Sequence, residues 1–269
     1  MKKAKIKKKD LIIIAIIVVI LVIILLAIFL FKGQKLDANS TLVNNLYNYL
    51  GSNDLEVCNG LQVYSNEEVN YDVLDNETKL CTAYRLLDEE SKSSNDYEGN
   101  EENTCSINDN IVFATNNYED DICTVEEVSK DELNNTYKQV FGNDISEDGE
   151  FLINYNTVCY NNGDYYYCGL AETYTKTFGA EPHTYRTIKD VYKKGDEIII
   201  YDYFLKIVNG ECYSSYVNGT TNNNCTNELP ENEDDYNIDY DFLRKYGTLY
   251  KHTFKQSGDT YYWVSSIPE

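Results

Sequence analysis

The sequence predicts an α+β domain, with helices packed on a mainly antiparallel sheet, and places that domain behind one membrane-spanning helix. Three observations lead there. An unbroken apolar run lies near the N-terminus. Helix-period patterns occupy residues 41–142, and from about residue 150 the chain changes to strand-like runs rich in Tyr, Ile, Val and Thr, separated by Gly-containing turns.

The apolar run is the strongest signal. Leu11 to Phe31 is 21 residues without a charged or polar side chain. At ~1.5 Å of helical rise per residue this spans about 31 Å, the thickness of a hydrocarbon core. Six lysines precede it, at positions 2, 3, 5, 7, 8 and 9, and only Lys32 and Lys35 follow closely. This bias puts the tail 1–10 in the cytoplasm, the span at 11–31, a polar linker at 32–40 and a folded part, 41–269, outside. The run is longer than a signal-peptide core and has no small-x-small cleavage site after it, so it reads as an uncleaved signal-anchor of a single-pass protein of the cell membrane.

Charge is divided the same way. Residues 1–35 carry about +7, whereas the remainder holds 15 basic and 44 acidic side chains, about −29. Such a domain repels phosphate backbones and anionic headgroups, which excludes nucleic acid as a partner.

The eight cysteines, Cys58, Cys81, Cys105, Cys123, Cys159, Cys168, Cys212 and Cys225, all lie in the outer part. An even count outside the cytoplasm reads as disulfide bonds, and no pair is close enough for a zinc knuckle. Near-neighbour pairing is favoured: 58–81, 105–123, 159–168 and 212–225. In the 151–170 hairpin a two-residue Asn162-Gly163 turn would set Cys159 opposite Tyr166. A bridge to Cys168 therefore requires a longer loop, residues 162–165.

The helices are expected at 42–50, 76–87 and 130–141. Ser129 and Glu132 form a capping box for the third, Val128 and Leu133 its hydrophobic staple, and Gly142 its stop. The acidic segment 88–104 lacks aliphatic side chains and reads as a mobile loop. The run DEIIIYDYFLKIV places Ile199, Tyr201, Tyr203, Leu205 and Ile207 on one face of a central strand. The closing hairpin, with Ser257-Gly258 as its turn, would set Phe254 opposite Tyr261 and His252 opposite Trp263.

Few residues point to chemistry. Asp144, Ser146 and Asp148, followed by Gly149, match the first half of a calcium loop, but the twelfth position is Tyr155 where a bidentate Glu belongs. Two histidines, His183 and His252, could act with carboxylates only inside a shared pocket. No G-x-S-x-G, S-x-x-K, H-E-x-x-H or phosphate-loop motif occurs, so no catalytic residue, cofactor or resident metal is expected. The 26 tyrosines suit half-buried strands and would also make the sheet's concave face a recognition surface.

Helices followed by a strand meander resemble the cystatin-like and nuclear-transport-factor-2-like (NTF2-like) superfold. The MKKAKIKKKD tail, the Ile/Leu run, the SKDELNNTYKQVFG helix and the YKHTFKQSGDTYYWV hairpin resemble the single-pass, membrane-anchored extracytoplasmic proteins of AT-rich low-GC bacteria. That resemblance implies a surface location and no activity. The function expected is an envelope binding or structural module that contacts the lipid bilayer through residues 11–31 and takes an envelope protein or glycan as partner. The alternatives are an NTF2-like assembly scaffold or an envelope hydrolase.

Overall fold

The computed structural model describes residues 16–21, 33–51, 58, 60–108, 110–116, 121–154, 156–171, 182–229 and 238–269. Residues 16–21 are helical with all six side chains exposed. Among the described residues no helix is long and apolar enough to cross a membrane, and the rest of the expected span lies outside them.

The α+β class with mostly antiparallel sheets holds, but helices and strands are interleaved rather than segregated. The larger sheet runs in the order β1 (Gln34–Lys35), β10 (His183–Lys194), β11 (Glu197–Val208), β13 (Thr248–Ser257), β14 (Thr260–Pro268), β2 (Val69–Asn70), with β12 (Glu211–Tyr213) paired to the end of β11. A second sheet runs β3 (Lys92–Glu98), β6 (Ile122–Ser129), β9 (Tyr165–Leu170), β8 (Thr157–Asn162), β7 (Phe151–Leu152). A small hairpin joins β4 (Thr104–Asn108) to β5 (Ile111–Ala114). Five strands, β2 to β6, therefore lie inside the stretch expected to be helical.

The acidic segment 88–104 is ordered into β3, which pairs with β6 from Lys92↔Val128 to Glu98↔Ile122. It is an edge strand with mostly exposed side chains, so it needs a backbone ladder and no apolar face. The expected linker is likewise part of the sheet: Gln34 and Lys35 pair with Lys193 and Tyr192.

Three hairpins share one turn chemistry. In Asn162-Gly163-Asp164-Tyr165, Lys194-Gly195-Asp196-Glu197 and Ser257-Gly258-Asp259-Thr260 the outer residues pair, and the glycines take φ of +61°, +63° and +60°. Glycine is thus the first central residue, where positive φ is required. This places Cys159 directly opposite Cys168, the register a bridge needs. It also corrects the closing hairpin: Phe254 pairs with Trp263, and after a bulge at Thr253/Phe254 His252 pairs with Ser266.

All four near-neighbour disulfides are formed, and no cysteine is free.

Of the helices α1 (Thr41–Tyr49), α2 (Asn76–Arg85) and α3 (Lys130–Phe141), α1 packs on the large sheet, α2 on the small one, and α3 on both. Phe141 meets Trp263 of the large sheet edge-on at 6.1 Å, and Tyr84 meets Phe151 of the small sheet at 6.0 Å. Ser40 and Asp75 cap the first two, accepting from Val43 N and Thr78 N. The expected capping box on α3 is not made. Ser129 stays in β6, paired with Tyr165, and its side chain accepts no cap bond; the strand runs straight into the helix, and Lys130 N donates to Asp164 O. The staple residues Val128 and Leu133 are fully buried. On the opposite face of the large sheet, Leu205, Ile207 and the Cys212–Cys225 bridge pack with Leu243 and Tyr246 of α5 (Tyr240–Tyr246), next to the short α4 (Asn223–Thr226).

Two measurements check this fold. Unfolded in denaturant without reductant, the protein should react with no thiol reagent, and after reduction it should take up eight equivalents. Gly142→Ala should lower stability by at least about 1–2 kcal/mol in urea unfolding: φ is +74°, and a Cβ there would lie 2.8 Å from the Tyr262 ring.

Candidate functional site

Two features concentrate polar chemistry. One is buried. Asp202 lies on the face of β11 that also carries Ile198, Ile200 and Phe204, all fully buried. A lone carboxylate there must be fully hydrogen-bonded. Its Oδ2 accepts from Tyr64 Oη at 2.7 Å and from Tyr47 Oη at 2.8 Å, and Oδ1 lies 2.8 Å from His252 Nε2. His252 Nδ1 is 2.6 Å from Ser266 Oγ, which also accepts from Trp263 Nε1 at 3.0 Å. The strand registers bring these side chains together: His252 pairs with Ile200, two residues from Asp202, and with Ser266.

Around this cluster, Arg186 stacks 4.4 Å over the Tyr47 ring, donates to Tyr64 Oη at 3.4 Å and to the Gly51 carbonyl. Arg85 donates to the Asn48 carbonyl at 2.7 Å. Two guanidinium groups thus satisfy carbonyls at the C-terminal end of α1, where cations complement the helix dipole. Burial and the like charge of Arg186 push Arg85 down to about 10. Burial, with the Asp202 charge beside them, holds the Tyr47 and Tyr64 phenols well above their ordinary range.

Asp202, His252 and Ser266 are the residue types of a hydrolytic triad, but each is 0 % exposed. The Tyr64 ring lies edge-on to His252 at 5.2 Å and the Tyr250 ring stacks on it at 6.1 Å. No substrate atom reaches the hydroxyl, and the arrangement locks α1 and three strands together. His183 takes no part. It pairs with Ile207, whereas His252 pairs with Ile200, about 23 Å away along β11.

The second feature is open. A groove of about 520 Å³ runs between α1 and α3, with Leu86 and Leu87 also lining it. Asn45, Asn48 and Tyr49 line one wall, and Glu132, Asn135, Thr136 and Gln139 the other. These are i, i+3, i+4 and i, i+3, i+4, i+7 positions, one stripe per helix. Gln139 hydrogen-bonds the Tyr49 hydroxyl, whose pKa burial raises. Asp88 and Ser91 also line the groove. The wall thus presents primary amides, which both donate and accept, and a half-buried aromatic ring.

The acids of the expected calcium loop are engaged with lysines. Asp144 bonds Lys138 at 3.0 Å and Asn134 at 3.1 Å, and these partners hold its carboxyl below the usual range. Asp148 bonds Lys130 at 3.1 Å, Ser146 is exposed, and Tyr155 lies outside the described residues. Among the described residues no group of His, Cys, Asp and Glu side chains could hold a metal. Of the strand tyrosines, Tyr166 and Tyr250 are fully buried, whereas Tyr165 is exposed and Tyr167, Tyr192, Tyr201 and Tyr213 are half-buried.

Neither feature was singled out from sequence. Asp202 was legible as the one acid within IIIYDYFLKIV, and the groove as amide stripes flanking the apolar faces of α1 and α3. Comparison with protein-family models, curated proteins and solved structures finds no match to this chain.

The buried cluster makes two predictions. Asp202→Ala should cost about 3–5 kcal/mol of stability, because two phenols and an imidazole lose their buried acceptor, and Asp202→Asn should cost less; equal denaturation midpoints for Ala and wild type would contradict this. Because the Tyr47 and Tyr64 pKa values are raised on folding, their contribution is fully present below the unfolded phenol value of about 10 and is lost as pH rises beyond it. Phenolate absorbance should therefore show tyrosines that ionise only when the protein unfolds in alkali.

Proposed function

We propose that this chain is a binding module held at the outer face of a cell membrane by residues 11–31, and that the groove between α1 and α3 takes a neutral or amino-bearing glycan of the envelope. Placement is supported by the lysine-flanked apolar run, by the exposed aliphatic side chains of residues 16–21 and by four disulfides, which persist in oxidising compartments. The observation that carries the ligand class is the pair of facing amide stripes. Asn45, Asn48, Asn135 and Gln139 match the mixed donors and acceptors of sugar hydroxyls, and the Tyr49 ring offers an apolar face. Asp88 and Glu132 disfavour anionic ligands.

The test uses the full-length chain in lipid nanodiscs against a panel of envelope polysaccharides and proteins. A neutral or amino-bearing glycan should bind, and the double variant Asn48→Ala/Gln139→Ala should weaken it roughly tenfold or more, at about 1 kcal/mol per lost hydrogen bond. Both residues are exposed, so circular dichroism should not change. Affinity that survives the double variant removes the groove from the proposal. Self-association without glycan affinity replaces it with the NTF2-like scaffold reading. External protease should digest the folded part on intact cells.

A further inference from the structure

The chain joins the large sheet almost as soon as the apolar run ends. Gly33 follows Phe31 by two positions, about 7 Å of fully extended chain. Gln34 then pairs with Lys193, Lys35 with Tyr192, and Leu36 N donates to Val191 O at 2.9 Å. Gly33 itself, at φ +71°, packs so closely on the β10–β11 hairpin that a Cβ there would lie 2.6 Å from Lys194 Cγ. The Gly258-Asp259 turn stands beside this hairpin, since Glu197 pairs with Lys255 and Gln256 N donates to Asp196 O at 2.8 Å. One end of the sheet therefore carries the chain's entry and two hairpin tips.

We infer that this end, Lys193 to Glu197 with the neighbouring Ser257–Thr260 turn, rests on the headgroups of the bilayer that the chain's own apolar run enters. The inference rests on reading residues 11–31 as a membrane span. About 7 Å of tether cannot lift the sheet clear of the surface. The charge distribution agrees. Here Lys35, Lys193, Lys194 and Lys255 stand among Asp190, Asp196, Glu197 and Asp259, whereas over residues 36–269 as a whole acids outnumber bases by 44 to 15. A charge-balanced end meets anionic headgroups without the repulsion the rest of the surface would suffer within a Debye length of roughly 10 Å. Tyr192 and Tyr262 are half-buried there, the amphipathic ring type that suits the membrane interface. β11 is 12 residues long, so the opposite end, with Glu211 and the Cys212–Cys225 bridge, stands about 40 Å further out.

The experiment places the full-length protein in vesicles of phosphatidylcholine and phosphatidylglycerol with acceptor-labelled headgroups. Asp196→Cys and Glu211→Cys are separately labelled with a donor fluorophore, every native cysteine being already bridged. The donor at 196 should be quenched roughly twofold or more beyond the donor at 211, given the ~40 Å between them. Equal or reversed quenching in protein that resists alkaline extraction overturns the orientation alone. Release by alkali overturns the span and the inference with it. A flexible Gly/Ser insert of about 20 residues between Lys32 and Gly33 reaches ~25 Å and should abolish the difference. A difference that survives the insert overturns the argument from the tether.

Discussion

A carboxylate buried in the middle of the 12-residue strand β11 organises the large sheet and its first helix. Asp202 is 0 % exposed and needs donors from every side, which arrive from four different parts of the chain: Tyr47 of α1, Tyr64 after the Leu61–Val63 turn, His252 of β13 and, through the imidazole, Ser266 of β14. An apolar residue there would pack without discriminating between neighbouring registers. A one-residue slip of β13 would carry the imidazole to the other face and leave the carboxylate unpaired. The cluster thus acts on specificity as much as on stability, and its closure to solvent is why these residues hold the fold together instead of carrying out chemistry.

The rest divides along mechanical lines. The large sheet takes the chain as it arrives from the apolar run, α1 and α3 lie on its inner face, and the small sheet packs on α2 and α3. The small sheet and its β4–β5 hairpin carry little aliphatic bulk and are stapled by Cys105–Cys123 and Cys159–Cys168, while Cys58–Cys81 ties α2 to the chain before the Leu61–Val63 turn. Short-range bridges of this kind restrict the unfolded chain where burial alone gives little. The open groove sits between α1 and α3, where polar stripes of the two helices meet above Leu86, Leu87 and Val140.

Much of the architecture was readable from local pattern. The third helix spans residues 130–141 as its apolar stripe indicated, and the four cysteine pairs are the near neighbours. The departures share a cause. The segment 88–104 lacked the apolar face by which strands are recognised, yet an edge strand needs only a partner's backbone, and β6 supplies it. Ser129 and Glu132 had the spacing of a capping box, but Ser129 belongs to β6, paired with Tyr165, and its side chain accepts no cap bond. The turn dipeptides were read one residue early, because glycine's positive φ serves the first central position here and the following Asp takes the second.

What the sequence by itself determined is what depends on neighbours within a few residues: helical periodicity, the lipid-like run, the split of charge and the short-range cysteine spacing. Which carboxylate is buried, which histidine meets it, and which helix flanks face one another across a groove depend on residues as many as 155 positions apart. Those contacts follow from strand register and layer packing, where the free energy belongs to the assembled sheet and helices together and to no local segment.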